Sequence, residues 1–180
     1  MCSDEFVVGC FFCRGFKFSL GCSVCVLVRL GKVGGGDLFS CPCIIAVGFD
    51  NDNRAYILDE FYQNRTQTET LILELKEMVA TYGKGKIVCD RSAPGTIELI
   101  RLADLNAVAN ESKRDDAIRE LGGRFIVQGD GKPRIFVSSK CVNWIHEVMV
   151  YNSEIKENDH LMDSTMYALY GFTSQVSTVG

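Results

Sequence analysis

Apolar and polar residues follow a regular pattern from residue 43 onward. Residues 43–49 are almost all apolar, residues 50–53 are all polar, and residues 55–61 return to a largely apolar run. Two short runs of this kind around a polar tetrapeptide are typical of antiparallel strands joined by a tight turn. The pattern therefore predicts a β-hairpin over residues 43–61.

A helix is predicted directly after this hairpin. Thr66 and Glu69 have the spacing of a capping box, in which a hydroxyl and a carboxylate satisfy the first N–H groups of a helix. Apolar residues then recur at helical spacing from Leu71 to Val79, and Gly83 stands where a C-cap glycine is expected. These signals predict a helix of about four turns.

Asp90 closes the next apolar run, residues 86–89. Pro94 suits the first turn of a helix, and apolar residues follow it at helical spacing, so this segment predicts a strand, a loop and a helix. Open α/β sheets bind ligands at the carboxyl ends of their strands, which makes Asp90 a candidate functional acid. An Asp at this position is equally suited to begin a turn, and both interpretations stand.

Two short elements are predicted next. Residues 106–109 suit a parallel strand. Residues 112–121 suit a helix, which we expect to stop at Gly122 and Gly123 because glycine is unfavourable inside helices.

The last third of the chain predicts one more strand pair and two helices. Residues 125–128 and 134–138 fit a second hairpin, with a connector as the alternative for residues 125–128. Apolar residues at helical spacing follow over residues 141–149. The whole order of elements predicts an α/β fold of the ribonuclease H-like architecture, a mixed β-sheet flanked by helices.

The final predicted helix begins at Asp159, a favourable N-cap residue, and continues to Phe172. It places His160 and Asp163 three residues apart, on one face. Imidazole and carboxylate are common metal ligands and proton carriers, so the pair is a candidate site. A carboxylate in the first turn also complements the helix dipole, and this capping role is the alternative.

Composition fits a single globular domain. The chain has 180 residues, 47% of them hydrophobic, and a formal net charge of −4, which argues against nonspecific coating of nucleic acid. Basic residues predominate over residues 84–140 and acidic residues over 141–180. That asymmetry suits a site where carboxylates hold cations and basic groups hold phosphates, although scattered surface charge is the alternative.

Cysteine distribution indicates the compartment. Seven of the nine cysteines fall in the first 43 residues, and Cys89 and Cys141 lie in apolar runs where a reduced thiol packs as a small hydrophobe. This pattern predicts a reducing, intracellular environment rather than a disulfide-bonded secreted domain. Charged residues interrupt the apolar N-terminal stretch, so we expect neither a signal peptide nor a membrane span.

Residues 1–36 differ in composition from the rest and are predicted as a Cys-rich apolar leader, with the domain itself over residues 37–175. Two C-x2-C pairs in the leader have a spacing that suits a tetrahedral Zn²⁺ site. The four cysteines are Cys10, Cys13, Cys22 and Cys25. The alternatives are incidental cysteines in a poorly specified segment, or a misread start of the coding sequence.

Five segments of the chain together resemble the nuclease domain of the large terminase subunit of tailed phages. They occur in the family's order and spacing between residues 44 and 172, and the last is the most specific. The segments are residues 56–62, 88–97, 106–108 with Lys113, 141–147 and 158–167. The resemblance implies a metal-dependent endonuclease that cuts concatemeric double-stranded DNA during genome packaging.

The resemblance also implies site residues. The family takes its acids from the first strand, from the strand that here ends in Asp90, and from the last helix, here at Asp163, with His160 beside it. Asp37 is the best match to the first-strand acid, although the glycine and the Asn-Pro pair expected after it are altered here; Asp50 is the fallback. We therefore expect Asp37, Asp90 and Asp163 to hold two Mg²⁺ or Mn²⁺ ions, and His160 to orient water or assist proton transfer.

Basic residues are candidate phosphate contacts, with a solvated surface position as the alternative for each. They are Lys113, Arg114, Lys132 and Arg134. The sequence contains no G-x4-G-K-[ST] loop and so no P-loop ATPase of its own. The resemblance implies a terminase ATPase region, the small terminase subunit and the portal as partners, in the host cytoplasm.

Two other functions remain open from the sequence. The chain would be a truncated or catalytically impaired terminase nuclease that binds only DNA or the packaging machinery, or another ribonuclease H-like nuclease such as a resolvase or transposase core. The irregular first-strand segment around Asp37 favours the first of these alternatives.

Overall fold

The computed structural model describes residues 5–6, 11–12, 23–29, 38–39, 42–152 and 160–176. No helix among them combines the length and apolar character needed to cross a membrane. The strands in these ranges are β1 (Glu5–Phe6), β2 (Phe11–Phe12), β3 (Ser23–Arg29), β4 (Leu38–Phe39), β5 (Cys43–Phe49), β6 (Ala55–Tyr62), β7 (Thr66–Gln67), β8 (Lys86–Cys89), β9 (Ala107–Ala109) and β10 (Ile135–Val137). The helices are α1 (Thr68–Tyr82), α2 (Pro94–Leu102), α3 (Arg114–Phe125), α4 (Val142–Val150) and α5 (His160–Val176).

The predicted hairpin over residues 43–61 is confirmed. β5 and β6 pair antiparallel along their length, with an irregularity after Ala46. The backbone N–H of Asn53 donates to the carbonyl of Asp50 at 3.0 Å and closes the turn. Asn53 has a φ of +57°, a left-handed conformation that Asn adopts more readily than most residues.

Six strands form one mixed sheet in the order β10-β6-β5-β3-β8-β9. β5 is antiparallel to β3 and β6, whereas β8 is parallel to β3, β9 to β8, and β10 to β6. All strands except β5 therefore end on the same side of this sheet, which we call the carboxyl end. The turn over residues 50–54 lies on the opposite side, which we call the hairpin end.

β3 comes from the segment that the sequence assigns to the leader. It pairs with β5 along its whole length and with β8 over four residues, and Val26 and Val28 are buried. Because a strand bonded on both sides is an internal strand, β3 is a central part of the sheet. The strand beside Asp90 is thus residues 23–29, and not the glycine-rich stretch that precedes Asp37.

Alternate residues of β5 face two separate hydrophobic cores. Ile45 and Val47 pack with residues of α3, α4 and α5, whereas Ile44 and Ala46 pack with residues of α1 and α2. The alternation follows from the two-residue period of a strand. Helices therefore cover both faces of the sheet, which is the mixed α/β layering that the sequence predicts.

Several other predicted elements are confirmed. α2 begins at Pro94, β9 pairs parallel with β8, and α4 and α5 occupy the two C-terminal apolar stripes. The thiols of Cys89 and Cys141 are buried and reduced. Asp159, the predicted N-cap of the last helix, lies outside the described residues.

The predicted capping box is wrong. The N-cap of α1 is Gln67, which makes no side-chain capping bond, and the Thr66 hydroxyl instead donates to the carbonyl of Gln63 at 3.3 Å. Thr66 and Gln67 belong to β7, which pairs with β4. Pairing with another strand has thus moved the N-cap of the helix one residue along the chain, from Thr66 to Gln67.

The predicted stop at Gly122 and Gly123 is also wrong, because α3 continues to Phe125. Each glycine costs a helix about 1 kcal/mol relative to alanine. Leu121 and Arg124 are buried on either side of the pair, and their packing against the rest of the fold offsets that cost.

The second hairpin is wrong as well. β10 pairs with β6 in parallel, and residues 126–134 form the connection that was the alternative for residues 125–128. A turn in this connection has the N–H of Gln128 donating to the carbonyl of Lys132 at 2.9 Å. The sequence therefore predicts the turn at residues 128–132 correctly, but it predicts the wrong partner for the strand that follows.

Replacing Gly83 with alanine should lower the free energy of unfolding by about 1–3 kcal/mol. Gly83 ends α1 with φ +99° and ψ 166°, a region that is essentially restricted to glycine. An added Cβ would meet no atom within 4 Å, so the cost is backbone strain and not a steric clash. Urea denaturation followed by circular dichroism measures the change.

Gly122→Ala is the matched control for this change. Gly122 lies inside α3, and its added Cβ also meets nothing within 4 Å. Alanine there should raise the free energy of unfolding by about 0.5–1 kcal/mol. Equal effects of the two substitutions would contradict the assignment of strain to Gly83.

Candidate metal centre

Asp90 stands at the carboxyl end of the sheet, directly after β8. Its backbone N–H donates to the carbonyl of Val28 on β3 at 3.2 Å, which fixes its position beside the central strand. The Ser92 N–H donates to Asp90 Oδ1 at 2.9 Å in a side-chain turn. The turn role and the functional role of Asp90 are therefore compatible, since the turn holds the half-buried carboxylate in a fixed orientation.

Asp163 lies in the first turn of α5 and is almost fully buried. Its side chain is only 3% exposed, and Arg114 Nη1 donates to Oδ1 at 3.1 Å and to Oδ2 at 3.3 Å. Arg114 is the first residue of α3. A carboxylate enclosed in this way is stabilised in its charged form by the adjacent guanidinium.

α5 runs across the sheet from its carboxyl end to its hairpin end. The Cys43 thiol, at the start of β5, donates to the carbonyl of His160 at 3.3 Å, whereas Phe172 stacks on Phe49 at 3.8 Å between ring centroids. Because β5 runs from the carboxyl end to the hairpin end, the first turn of α5 lies at the carboxyl end. The structure therefore brings Asp90 and Asp163 to the same end of the sheet.

The strand beside Asp90 does not end in an acid. β3 ends at Arg29, which pairs with Cys43, and its preceding residue accepts the hydrogen bond from Asp90. Asp37, the predicted first-strand ligand, lies outside the described residues. Among the residues that the structure describes, no group of three or more His, Cys, Asp or Glu side chains is arranged to hold a metal ion.

The donor type of these two carboxylates nevertheless suits one hard divalent cation. Mg²⁺ and Mn²⁺ prefer oxygen ligands, and Mg²⁺ is commonly bound by one or two carboxylates together with water and substrate phosphates. Asp90 and Asp163 supply that donor type from two rigid elements. A second ion would need a further acid beyond these two.

His160 is the first residue of α5 and is partly buried. Its ring lies 6.4 Å from the ring of Tyr62 on β6, measured between centroids. Asp163, in contrast, pairs with Arg114 on α3. The two residues share the first turn of the helix, and a role of His160 in orienting water stays a prediction.

The four basic candidates fall at two opposite ends of the sheet. Lys113 and Arg114 stand at the start of α3, on the same side of the sheet as Asp90. The backbone N–H of Asn110, three residues before Lys113, donates to the carbonyl of Cys89, the last residue of β8, at 2.8 Å and fixes this segment there. Lys132 and Arg134 precede β10 and lie at the hairpin end. Only the first two are brought to the side of the acids.

Arg134 belongs to an ion network at the hairpin end. Its Nη1 donates to Asp130 Oδ2 at 2.8 Å, and Arg54 Nη2 reaches the same oxygen at 3.2 Å. The hydrogen bond from Arg134 is the main reason that the pKa of Asp130 is lowered to about 2. These contacts indicate a structural role for Arg134 in the described part of the chain.

Asp50, the fallback for the first acid, is at the wrong end of the sheet. Its Oδ1 accepts the backbone N–H groups of Asp52 and Arg54 at 3.0 and 2.8 Å, and its Oδ2 accepts the Tyr56 hydroxyl at 2.9 Å. The carboxylate thus shapes the β5–β6 turn. The fallback is wrong because strand direction separates this turn from Asp90.

The zinc prediction is not tested by the described residues. Cys10, Cys13 and Cys22 lie outside them, and Cys25 is described only as part of the backbone of β3.

Two glutamates near the centre received no role from sequence reasoning. Glu60, on β6, accepts the N–H groups of Asn143 and Trp144 at 2.7 and 2.8 Å, and Glu147, on α4, accepts the N–H of Met162 at 2.7 Å. Each carboxylate caps a helix from a neighbouring element. The available signal for Glu147 was its place three residues after Trp144, on the face of α4 that the apolar spacing predicts to be buried.

No protein-family model and no curated protein matches the sequence. Comparison of three-dimensional structures does find relatives. The g2p (large terminase) nuclease domain from bacteriophage SPP1, solved with bound Mn, superimposes with a TM-score of 0.63 at 17% identity, over 86% of this chain and 88% of that chain. The large terminase nuclease from thermophilic phage G20c gives a TM-score of 0.55 at 14% identity, over 83% of this chain and 82% of that chain.

A longer protein shows the same likeness. The large terminase from another thermophilic bacteriophage matches with a TM-score of 0.67 at 16% identity, over 83% of this chain but only 39% of that chain. The chain thus corresponds to about two fifths of the length of that terminase. At these identities the likeness concerns the fold, and it confirms the sequence prediction at that level: the chain has the ribonuclease H-like fold of the nuclease domain of phage large terminase subunits.

Proposed function

We propose that the chain is a divalent-metal-dependent DNA endonuclease of the viral terminase type. The observation that carries the proposal is the presence of Asp90 and Asp163, from a strand and a distant helix, at one end of a sheet with the terminase nuclease fold. Open α/β sheets place their functional groups at this end. On this proposal the substrate is concatemeric double-stranded DNA that is cut during genome packaging.

The proposed roles rest on the positions of the described residues and, for Asp37, on the resemblance of the sequence. Asp90 and Asp163 would hold Mg²⁺ or Mn²⁺, with Asp37 as the proposed third ligand. A bound divalent ion makes an attacking water more acidic and stabilises the leaving oxygen of a phosphodiester. Lys113 is exposed at the start of α3 and would contact a backbone phosphate, while His160 would orient water near the scissile bond.

Partners follow from the relatives. The longer of the thermophilic phage proteins is a large terminase, of which this chain matches 39%. A structure of the same terminase was solved in complex with ADP. We therefore propose that the domain acts together with a terminase ATPase region. The small terminase subunit and the portal as further partners, and the host cytoplasm as the location, are proposed from the resemblance of the sequence.

Plasmid cleavage tests the proposed activity. Supercoiled plasmid is incubated with the full chain and Mg²⁺ or Mn²⁺, and the nicked and linear forms are quantified on a gel. We expect cutting that requires the metal and stops when EDTA is added. Cutting that persists in EDTA would contradict the proposal, and preferential cutting of branched DNA over linear duplex would favour a resolvase-like nuclease.

A second function, DNA binding without cleavage, is favoured by one specific observation. Arg114 already pairs with Asp163 at 3.1 Å. A cation at this position would attract phosphate more readily than it would admit a divalent metal. Retarded migration of duplex DNA in a gel, with no cutting at millimolar Mn²⁺, would assign this function.

A further inference from the structure

Glu147 is a buried carboxylate that holds the helix bearing Asp163. It lies on α4, is 5% exposed, and its Oε1 accepts the backbone N–H of Met162 at 2.7 Å. Met162 is in the first turn of α5, where N–H groups have no acceptor within the helix. Glu147 therefore caps α5 from outside, at the residue next to Asp163.

The preceding helix, α4, is capped in the same way by a carboxylate from another element. Glu60, on β6, accepts the N–H groups of Asn143 and Trp144 in the first turn of α4. β6 thus fixes the start of α4, and α4 fixes the start of α5. The two carboxylates connect the sheet to Asp163 through hydrogen bonds between neighbouring elements.

A second contact fixes α5 against α4. The indole Nε1–H of the fully buried Trp144 donates to Thr165 Oγ1 at 2.8 Å, and this hydroxyl donates to the carbonyl of Leu161 at 2.8 Å. Trp144 therefore determines how far α5 can rotate or slide, and Glu147 determines where its first turn begins. Both restrict the position of Asp163.

Burial of a charge is costly unless hydrogen bonds and favourable fields compensate it. The N–H of Met162 and the positive end of the α5 dipole provide this compensation for Glu147. The same interaction orients the first turn of α5, so a residue at position 147 that only filled space would not replace it.

We propose that Glu147 is a positioning residue that sets the metal affinity of Asp163 by fixing the first turn of α5. The proposal rests on the proposed function in that Asp163 is taken as a metal ligand. Residues that orient metal ligands typically change metal affinity or activity by about 10–100-fold when they are replaced.

Three substitutions at position 147 separate the effect of side-chain length from the effect of charge. Glu147→Ala removes the acceptor, Glu147→Asp keeps the charge but withdraws it by one methylene, and Glu147→Gln keeps an acceptor of the same length without the charge. For Glu147→Ala we expect the Mn²⁺ concentration for half-maximal plasmid cutting to rise by about 10–100-fold, with the rate at saturating Mn²⁺ largely retained. Glu147→Asp should shift in the same direction, and Glu147→Gln should stay within about threefold of the wild type.

Amide hydrogen exchange gives a readout that does not depend on activity. In the metal-free protein, the amides of residues 160–164 should exchange faster in Glu147→Ala and Glu147→Asp than in the wild type or Glu147→Gln.

Ile100→Val is the control, because Ile100 is fully buried in the other core, on α2. It should lower stability without changing the Mn²⁺ requirement.

The outcomes are distinct. An unchanged Mn²⁺ requirement in Glu147→Ala, or an equal shift in Ile100→Val, would overturn the positioning role. If Glu147→Ala does not fold, the contrast between the Asp and Gln variants decides the question. If the wild type neither cuts DNA nor binds Mn²⁺, the proposed function fails, whereas unaltered exchange at Met162 in Glu147→Asp would overturn the positioning role itself.

Discussion

Replacement of Asp163 with asparagine should reduce Mn²⁺-dependent plasmid cutting at least about a hundredfold. Asn has nearly the same shape as Asp but lacks the charge that binds a divalent cation. Because Asn fills the same buried space and still offers one oxygen to Arg114, the fold should stay intact, with some loss of the stability that the ion pair contributes. Circular dichroism and a gel assay of plasmid cutting measure the two effects separately.

Asp115→Asn is the matched control for this change. Asp115 lies in the first turn of α3, close in sequence to Arg114, but it is exposed. The substitution removes the same charge at the same end of the sheet. Cutting by Asp115→Asn should stay within about twofold of the wild type, since it removes no proposed ligand. Undiminished cutting by Asp163→Asn would refute the assignment of Asp163.

Replacement of Arg114 with alanine should lower the stability of the metal-free protein and should favour binding of the metal. Without metal, it removes the guanidinium that pairs with a buried carboxylate, so the free energy of unfolding should fall by about 1–3 kcal/mol. This range lies below that of a fully buried pair, because Arg114 is 30% exposed. With Mn²⁺ present, the loss should become smaller, because the metal replaces the lost cation next to Asp163.

Urea denaturation with and without Mn²⁺ measures this coupling. Arg119→Ala is the control, since Arg119 lies on the same helix in an exposed pair with Asp116 at 3.1 Å. It should change stability by less than about 0.5 kcal/mol under either condition. If Mn²⁺ stabilises the wild type and Arg114→Ala equally, Arg114 and the metal do not compete for Asp163.

Much of the fold could be predicted from the sequence, because local signals and tertiary contacts agree there. The β5–β6 hairpin, the strand leading to Asp90 and the helix after Pro94 combine strong apolar patterns with characteristic turn residues. α5 is predicted by the same logic, and with it the place of Asp163. In these segments the periodicity identifies both the element and its buried face.

The failures occur where a distant segment overrides the local signal. The glycines at 122 and 123 indicate a helix end, but burial of Arg124 beside them keeps α3 helical. The turn at residues 128–132 indicates a hairpin, but the strand after it pairs in parallel with β6. Neither partner can be identified from a window of neighbouring residues.

Only part of the candidate centre could be predicted, again because contacts between distant segments leave no local signal. Asp90 and Asp163 stand at recognisable ends of elements, so sequence patterns indicate them. The Arg114–Asp163 pair and the contact between Glu147 and Met162 join α3 to α5 and α4 to α5, and no local periodicity encodes them. The central strand was placed too late in the chain because the resemblance matches Asp37 to the first-strand acid, although glycines flank residues 23–29 on both sides.

Titration of the purified chain with Mn²⁺ by calorimetry tests the central claim most directly, because it measures the joint use of Asp90 and Asp163 without requiring catalysis. The wild type and Asp115→Asn should bind Mn²⁺ with the same affinity. Asp90→Asn and Asp163→Asn should each weaken that binding at least about tenfold, because each removes one of the two carboxylates at the carboxyl end. Equal Mn²⁺ affinity in all four proteins would contradict the claim that these two acids form one metal centre.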